Sequence, residues 1–426
     1  MKHDTTPWPE VPLSTVCTKI TDGTHRSPPM VASGYLYVTS KNIRPFKIEL
    51  KERLYIAEAD HREIYARCDV SLGDVLLTKD GANTGNAAVN CIQDEFSLLS
   101  SVALLRTDAS KLDPHFLCQF LNSNKGRTQT ASAMDGLAIR RLTLEKIKHL
   151  HLPLPPLSEQ RKIAAILSSV DIIIEKTQAI VDQLEVVQKG LLRELMTQGM
   201  PGRHSRFIDS EFGPLPASWR TLALAQAVVE PDGLQTGPFG SQLHASDYVA
   251  EGVPVVMPKD MIDGRVDVTS IARVPESIAN RLGKHRVNRG DILFARRGEI
   301  GRCALITETE VNWLAGTGCL RARPNAQVHP PFLALYFKFG PVLEWLNDHA
   351  VGQTMLNLNT EILGRTPLRL PSLEEQQEIA SGFAAIEEAT STNQRQIHQL
   401  NRLKVGLLDV LLSGRVRVLM TEQEAA

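Results

Sequence analysis

The sequence predicts an α+β protein: two related α/β globules alternate with two long helices that pair as an antiparallel coiled coil about a pseudo-two-fold axis. Two observations carry this. Residues 158–198 form an uninterrupted stretch with no proline, one glycine and apolar residues at helical spacing for more than four heptads. The same kind of stretch returns at 372–414, so that Leu157, Glu159, Gln160, Ile163, Leu184, Gly190, Leu191 and Leu192 match Leu373, Glu375, Gln376, Ile379, Leu400, Gly406, Leu407 and Leu408, each 216 positions on.

A helix of forty residues rises roughly 60 Å at about 1.5 Å per residue, more than one small domain can cover, so each stretch reads as a rod. The seven-residue series of the first runs Ile163, Val170, Thr177, Leu184, Leu191, and that of the second Ile379, Ile386, Asn393, Leu400, Leu407. One polar residue interrupts each series near its middle. Antiparallel pairing would let Thr177 and Asn393 set the helix register, as a buried polar residue does in coiled coils. Pro156 and Pro371 end the preceding structure, and Ser158 and Ser372 follow as expected N-caps, with Ser372 and Glu375 spaced as a capping box.

The repeat continues outside the rods. Trp8, Val11 and Leu13 echo Trp219, Leu222 and Leu224, and Asp22-Gly23 echoes Asp232-Gly233. Gly73-Asp74-Val75-Leu76 matches Gly290-Asp291-Ile292-Leu293, and each is followed by a glycine-bearing turn, at 80–86 and 297–302. Asp113-Pro114 and Phe116-Leu117 match His329-Pro330 and Phe332-Leu333, while Gly136, Leu142, Glu145 and Ile147 match Gly352, Leu358, Glu361 and Leu363. The expected order is globule (1–157), helix (158–198), linker and globule (199–371), helix (372–414) and tail (415–426). Short β runs at Val75–Thr78, Val102–Leu105, Ile292–Ala295 and Gly318–Ala322 precede Pro-initiated helices near 114–122 and 330–339. Residues 199–218, rich in Gly, Pro and Ser, read as a linker.

Composition narrows the function. The 426 residues carry 47 basic and 48 acidic side chains, a near balance that limits nonspecific attraction to nucleic acid. Six scattered cysteines without Cys-x-x-Cys spacing read as reduced thiols, and no apolar run nears the length of a membrane span. The N-terminus lacks the apolar core of a signal peptide, so a cytoplasmic protein that engages no membrane is expected.

No catalytic constellation emerges. His329-Pro330-Pro331-Phe332 has the outline of an amino-methyltransferase motif but begins with His, and the other repeat reads Asp113-Pro114-His115-Phe116, as a helix start with a core aromatic would. There is no phosphate-binding lysine motif, nucleophile elbow or dinucleotide turn. Gly237-Pro238-Phe239-Gly240-Ser241 contains a proline where a phosphate cradle would need an amide, so it reads as a shaped loop. The twelve histidines form no metal-type pair, and no metal or cofactor is expected. Asp74 and Asp291 read as turn formers. The sharpest charge feature is 281–302, with seven basic residues against two acidic. It frames a strand and a tight turn at Arg296-Arg297, types suited to phosphates or guanine edges. The corresponding place in the first globule holds Lys79 and Asn83. His25 and Gln235 follow the two Asp-Gly pairs as equivalent loop positions.

These residues resemble the specificity subunit of type I restriction–modification systems. The resemblance rests on the ordered duplicate set: the Pro156-Leu157-Ser158-Glu159-Gln160 and Ser372-Leu373-Glu374-Glu375-Gln376 lead-ins, the Gly-Asp-Val/Ile-Leu strands, the Leu215–Trp219 opening and the Gly-Leu-Leu of each rod. It implies a non-catalytic subunit whose globules each read one half of a bipartite site in double-stranded DNA. The paired helices would fix the half-site spacing and dock two methyltransferase subunits, with nuclease-translocase subunits joining the full complex. On this reading Lys79, Asn83, Arg296, Arg297, His25 and Gln235 are the DNA-binding candidates. The alternatives are a methyltransferase or nuclease with fused specificity domains, or a coiled-coil adaptor that binds proteins alone.

Overall fold

A computed structural model describes residues 8–134, 141–239, 242–352 and 356–418. Gly136 lies outside the described residues. The chain divides into two compact units, residues 1–179 with 394–426, and residues 180–393. Each is therefore a globule with half of each rod, and the boundaries fall within the helices rather than at their ends.

The globule of the first unit is built on an antiparallel sheet of β1 (Cys17–Asp22), β2 (Val75–Thr78), β3 (Ala87–Val89) and β4 (Val102–Thr107), in the order β1-β4-β2-β3. That of the second unit repeats it with β5 (Leu234–Thr236), β6 (Ile292–Ala295), β7 (Cys303–Leu305) and β8 (Cys319–Ala322), in the order β5-β8-β6-β7. The central strands β2 and β6 are buried along their whole length, which explains their continuous apolar runs. Each globule adds a second sheet containing one parallel pair, Tyr35–Val38 with Phe96–Leu98 and Val253–Val256 with Leu314–Ala315. The expected proline starts hold: helices run Pro114–Asn122 and Pro330–Tyr336, and Asp113 accepts hydrogen bonds from the amides of His115 and Phe116.

Asp74 and Asp291 follow glycines with φ of 88° and close the turns before β2 and β6. Asp74 Oδ2 accepts from the Ser71 amide at 2.8 Å, and Asp291 Oδ2 from the Asn288 amide at 2.8 Å. Each carboxylate also takes a two-pronged guanidinium, Arg106 at 2.9 Å on both oxygens and Arg323 at 2.7 Å on both. Both acids are buried, so the pair is a structural clamp across the sheet.

The rods span Leu157–Gln198 and Leu373–Leu412. They run antiparallel where they meet in each unit. In the first unit, Ile163, Ala164 and Leu167 share one core with Leu408, Leu411 and Leu412. In the second, Ile379, Ala380 and Phe383 share one core with Leu192, Leu195 and Met196. The two sets differ by 216 at every member, so the repeat extends to the packing. A rod's broad apolar face is thereby used at both ends.

Three local expectations are corrected. Ser158 is not an N-cap, because the first rod already begins at Leu157. Ser372 does cap, its hydroxyl accepting from the Glu375 amide at 3.3 Å. The reciprocal half of the capping box is not seen, because the Glu375 carboxylate is engaged elsewhere: it accepts from the Met200 amide and Trp219 Nε1 and lies 2.7 Å from His204 Nε2. Its repeat partner Glu159 holds Arg417 on both oxygens, at 2.9 and 2.8 Å. The linker is also more ordered than its composition implied. It contains a short hairpin, Phe207–Ile208 with Leu215–Pro216, pinned by the buried Arg369, whose guanidinium donates to the carbonyls of Met196, Gly213 and Pro214. Thr177 is buried and donates to the Ile173 carbonyl, and the Asn393 amide donates to the Ala389 carbonyl, so both bond within their own helices.

Candidate nucleic-acid interface

The turn after the central strand holds the same backbone place in both globules. In the first, the Lys79 amide donates to the Ser101 carbonyl at 2.9 Å and the Lys79 carbonyl accepts from the Leu142 amide at 3.1 Å. In the second, the Arg296 amide donates to Gly318 and its carbonyl accepts from Leu358, both at 2.8 Å. Lys79 and Arg296 are therefore equivalent, as the sequence suggested, and Asp80 with Arg141 corresponds to Arg297 with Asn357 in the adjoining backbone bridge. Glycines with positive φ shape the turns that follow, Gly81 and Gly85 in one and Gly298 and Gly301 in the other.

The side chains at these matched places differ. Lys79 is buried, with its ammonium 3.3 Å from Asp22 Oδ2 and 3.2 Å from Asp80 Oδ2. Asp22, itself buried, also lies 3.1 Å from Arg67 Nη2 and 3.4 Å from His25 Nε2. His25 and Lys79 are thus brought together through one carboxylate, and Arg67 and His25 are the exposed side chains of the cluster. Asn83 donates to the Ser40 carbonyl at 3.2 Å, which ties the glycine turn to the loop after Tyr35–Val38. In the second globule the Arg296 Nε donates to Asn357 Oδ1 at 3.0 Å, and its guanidinium sits over the ring of Phe239, 5.8 Å from the centroid. Arg297 is exposed.

Two expectations change here. Gln235 is not on a loop: it lies on the edge strand β5, in register with Arg321 of β8. The Asp-Gly echo also misaligns the repeats. The Gly23 amide donates to the Val102 carbonyl and the Gly237 amide to the Cys319 carbonyl, making these two glycines the equivalent pair. A Cβ at Gly23 would fall inside the Leu98 carbonyl, and one at Gly237 inside the Gly316 carbonyl, so close backbone approach dictates glycine at both. Two residues on, His25 matches Phe239. Gly237 and Pro238 are buried, whereas Phe239 is 54 % exposed.

Much of the basic run is neutralised within the globule. Arg286 pairs with Glu276 at 2.6 Å, Arg289 with Glu308 at 3.7 Å and Arg302 with Glu299 at 2.5 Å, while Arg281 donates to the Gln242 carbonyl. His285 is buried, and burial, reinforced by the positive charges of Lys284 and Arg321, pushes its imidazole down to about 4. Lys284, Arg296 and Arg297 are what the run leaves for a ligand, and of these Arg296 and Arg297 sit in the turn after the central strand. Sequence reasoning missed Asp22 as the partner that Lys79 shares with Arg67, and Phe239 and Asn357 as partners of Arg296. They are distant in sequence and share no local period. Among the described residues, no group of three His, Cys, Asp or Glu side chains is placed to hold a metal ion, and no helix is long and apolar enough to cross a membrane.

Known proteins share this arrangement. The family model described as type I restriction modification DNA specificity domain matches residues 65–186 and 248–402. The putative type I restriction enzyme MjaX specificity subunit of Methanocaldococcus jannaschii is 26% identical over 392 residues, covering 90% of this chain and 88% of the relative. The EcoKI specificity subunit of Escherichia coli is 21% identical over 427 residues, covering 96% and 89%. Among solved structures, the S subunit of a type I restriction–modification system from M. genitalium superposes with a TM-score of 0.62 at 15% identity, covering 99% of each chain. A chain from a structure concerned with assembly and conformational transition of the type I system gives 0.54 at 19% identity, covering 96% of this chain and 98% of that one. With both copies of its repeat matched by one family model and its full length paralleled by these relatives, the chain belongs to the type I restriction–modification DNA specificity family, as a non-catalytic specificity subunit.

Proposed function

We propose that each globule reads one half of a bipartite, asymmetric site in double-stranded DNA, acting in the cytoplasm. The paired rods set the half-site spacing and dock two methyltransferase subunits, to which nuclease-translocase subunits are added. The observation that carries this reading is a duplicated backbone frame with unlike side chains at matched places: Lys79 against Arg296, His25 against Phe239, Arg141 against Asn357. One frame with two sets of tips suits two different short sequences. A stiff helical spacer then turns two weak readers into one long-site reader, because their separation is a geometric constant of the rods. Half-sites about one DNA turn apart, roughly 34 Å, fall within the reach of helices about 60 Å long.

Within this reading Arg296, Arg297, His25 and Asn83 face the DNA, and Lys79 helps by holding Asp22 and Asp80 in place beneath His25 and Arg67. Gln235 contributes from the sheet edge, and Thr177 and Asn393 set the helix register. Near-neutral net charge fits a reader that draws its selectivity from base edges. The test is to map modified bases in DNA from cells with and without this subunit beside its methyltransferase. A two-part motif with a fixed gap is expected. An unchanged pattern, or a motif in one continuous piece, would reject the reading. Arg296→Ala with Arg297→Ala should abolish or relax one half of the motif and leave the other half intact.

A further inference from the structure

We infer that Phe239 and Arg296 act as one unit that reads a guanine with a thymine at the adjacent step in the major groove; this rests on the DNA-reading proposal above. Three structural features converge. Phe239 is a large apolar ring left 54 % exposed immediately after two buried residues, in a chain with only 5% aromatic residues. Its main chain is braced, the amide donating to Gln242 Oε1 at 3.2 Å and the carbonyl accepting from the Gln242 amide at 2.7 Å. The backbone of Phe239 is therefore held at both its amide and its carbonyl.

The second observation is the state of the Arg296 fork. Asn357 takes the Nε–H, and the Phe239 ring covers the guanidinium from the side. The Nη1 and Nη2 groups donate to no described residue. That leaves the end of the fork, two parallel N–H donors in a plane held by a hydrogen bond and a cation–π contact. Two such donors match guanine O6 and N7, the pattern that the major groove offers at a G·C pair. A lysine or a free-swinging arginine would contact phosphate as readily; an arginine fixed at Nε is suited to a base.

The third observation is the matched place in the other globule, where His25 stands instead of Phe239 and lies 3.4 Å from Asp22. Where the first globule has a polar ring, the second has a purely apolar one. The one apolar feature in the major groove is the thymine 5-methyl group, and phenylalanine is among the side chains that contact it. A ring beside a guanine-reading fork is placed for the neighbouring base, so the step read is guanine next to thymine, on either strand.

The experiment uses the complete complex with its methyltransferase subunits and duplexes carrying the mapped motif. Each thymine of both half-sites is replaced in turn by uracil, which lacks only the methyl group. One replacement, beside a guanine, should weaken binding by the wild-type complex about three- to fivefold, the worth of one buried methyl. Phe239→Ala should bind the thymine and uracil duplexes equally, and Arg296→Lys should lose about tenfold or more of its preference for guanine at the next position. Equal binding of thymine and uracil duplexes by the wild-type complex would overturn the inference. So would a half-site without a guanine–thymine neighbour, or a uracil penalty that persists in Phe239→Ala. The wild-type comparison needs no variant to fold. A two-part motif lacking the step sinks this inference alone, whereas no two-part motif at all sinks the reading it rests on.

Discussion

Gln160 and Gln376 make the same three hydrogen bonds in the two halves of the chain. Gln160 Oε1 accepts from the Asp113 amide at 2.9 Å, and its Nε2 donates to the carbonyls of Lys111 and Pro155, both at 2.8 Å. Gln376 Oε1 accepts from the His329 amide at 2.7 Å, and its Nε2 donates to the carbonyls of Gln327 and Pro371 at 3.1 and 3.0 Å. Both side chains are fully buried. Each glutamine therefore bolts the first turn of a rod to the start of the globule's Pro-initiated helix. Replacing either by leucine leaves an amide and two carbonyls without partners. Each variant should lose about 2–3 kcal/mol of stability in urea unfolding, and a similar loss for the two changes is expected because the surroundings match.

The Asp74–Arg106 and Asp291–Arg323 clamps give a second pair of matched tests. Asp74→Ala and Asp291→Ala each strand a guanidinium and open a turn amide. The expected cost is about 2–4 kcal/mol in denaturant unfolding, below the fully buried limit because both arginines keep some contact with water. Charge-conserving Asp291→Glu should still lose stability, since the longer arm cannot keep both the Asn288 amide and the fork.

Acid should weaken the second globule through His285. Its imidazole is held neutral down to about 4, while the unfolded chain protonates near 6.5. The unfolded state therefore binds the extra proton first. This contribution to stability is present above about pH 6.5 and is lost as pH falls towards 4, roughly 3 kcal/mol over that window. Unfolding measured between pH 7 and 4.5 should show this slope, and His285→Gln should flatten it.

Arg297, exposed beside the fixed Arg296, is expected to contact phosphate. Arg297→Ala should reduce the slope of log binding constant against log salt by about one while leaving the mapped motif unchanged. A shift in the motif would instead make Arg297 a base reader.

Thiol reactivity offers a test of the fold itself. Cys68, Cys118, Cys303 and Cys319 are buried, and burial pushes the first two and the last up to about 12 and Cys303 to about 11; Cys17, half-buried, also rises to about 12. Cys91 is exposed. A thiol reagent near neutral pH should label Cys91 quickly in the native protein and all six cysteines after denaturation.

The rods, the repeat and the central strands were legible because each rests on a local period or a duplicated string. What escaped was whatever depends on residues far apart in sequence. The 281–302 run reads as strongly basic, yet Glu276 and Glu308 fold back onto it from outside and Glu299 takes Arg302 within it, and the letters alone do not show which arginines remain available. Gln235 was misplaced because Asp232-Gly233 imitates Asp22-Gly23 in letters, whereas the glycine that matters is fixed by a carbonyl pressing on it, Gly316 on Gly237. Likewise Glu375 looks like half of a capping box until His204 and Trp219 arrive from across the unit.

The shared cores at the rod ends have a consequence for how the protein is made. Leu408, Leu411 and Leu412 complete the core that holds Ile163 and Leu167, yet they leave the ribosome roughly 240 residues later. At about 5–20 residues per second, the first globule waits on the order of 10–50 s with an apolar strip uncovered. The second globule draws its rod segments from 192–196 and 379–383, so its parts flank it and are at hand once the second rod begins to emerge. The half translated first is thus the half that finishes last, and nascent chains stalled before Leu408 should be the ones that chaperones hold.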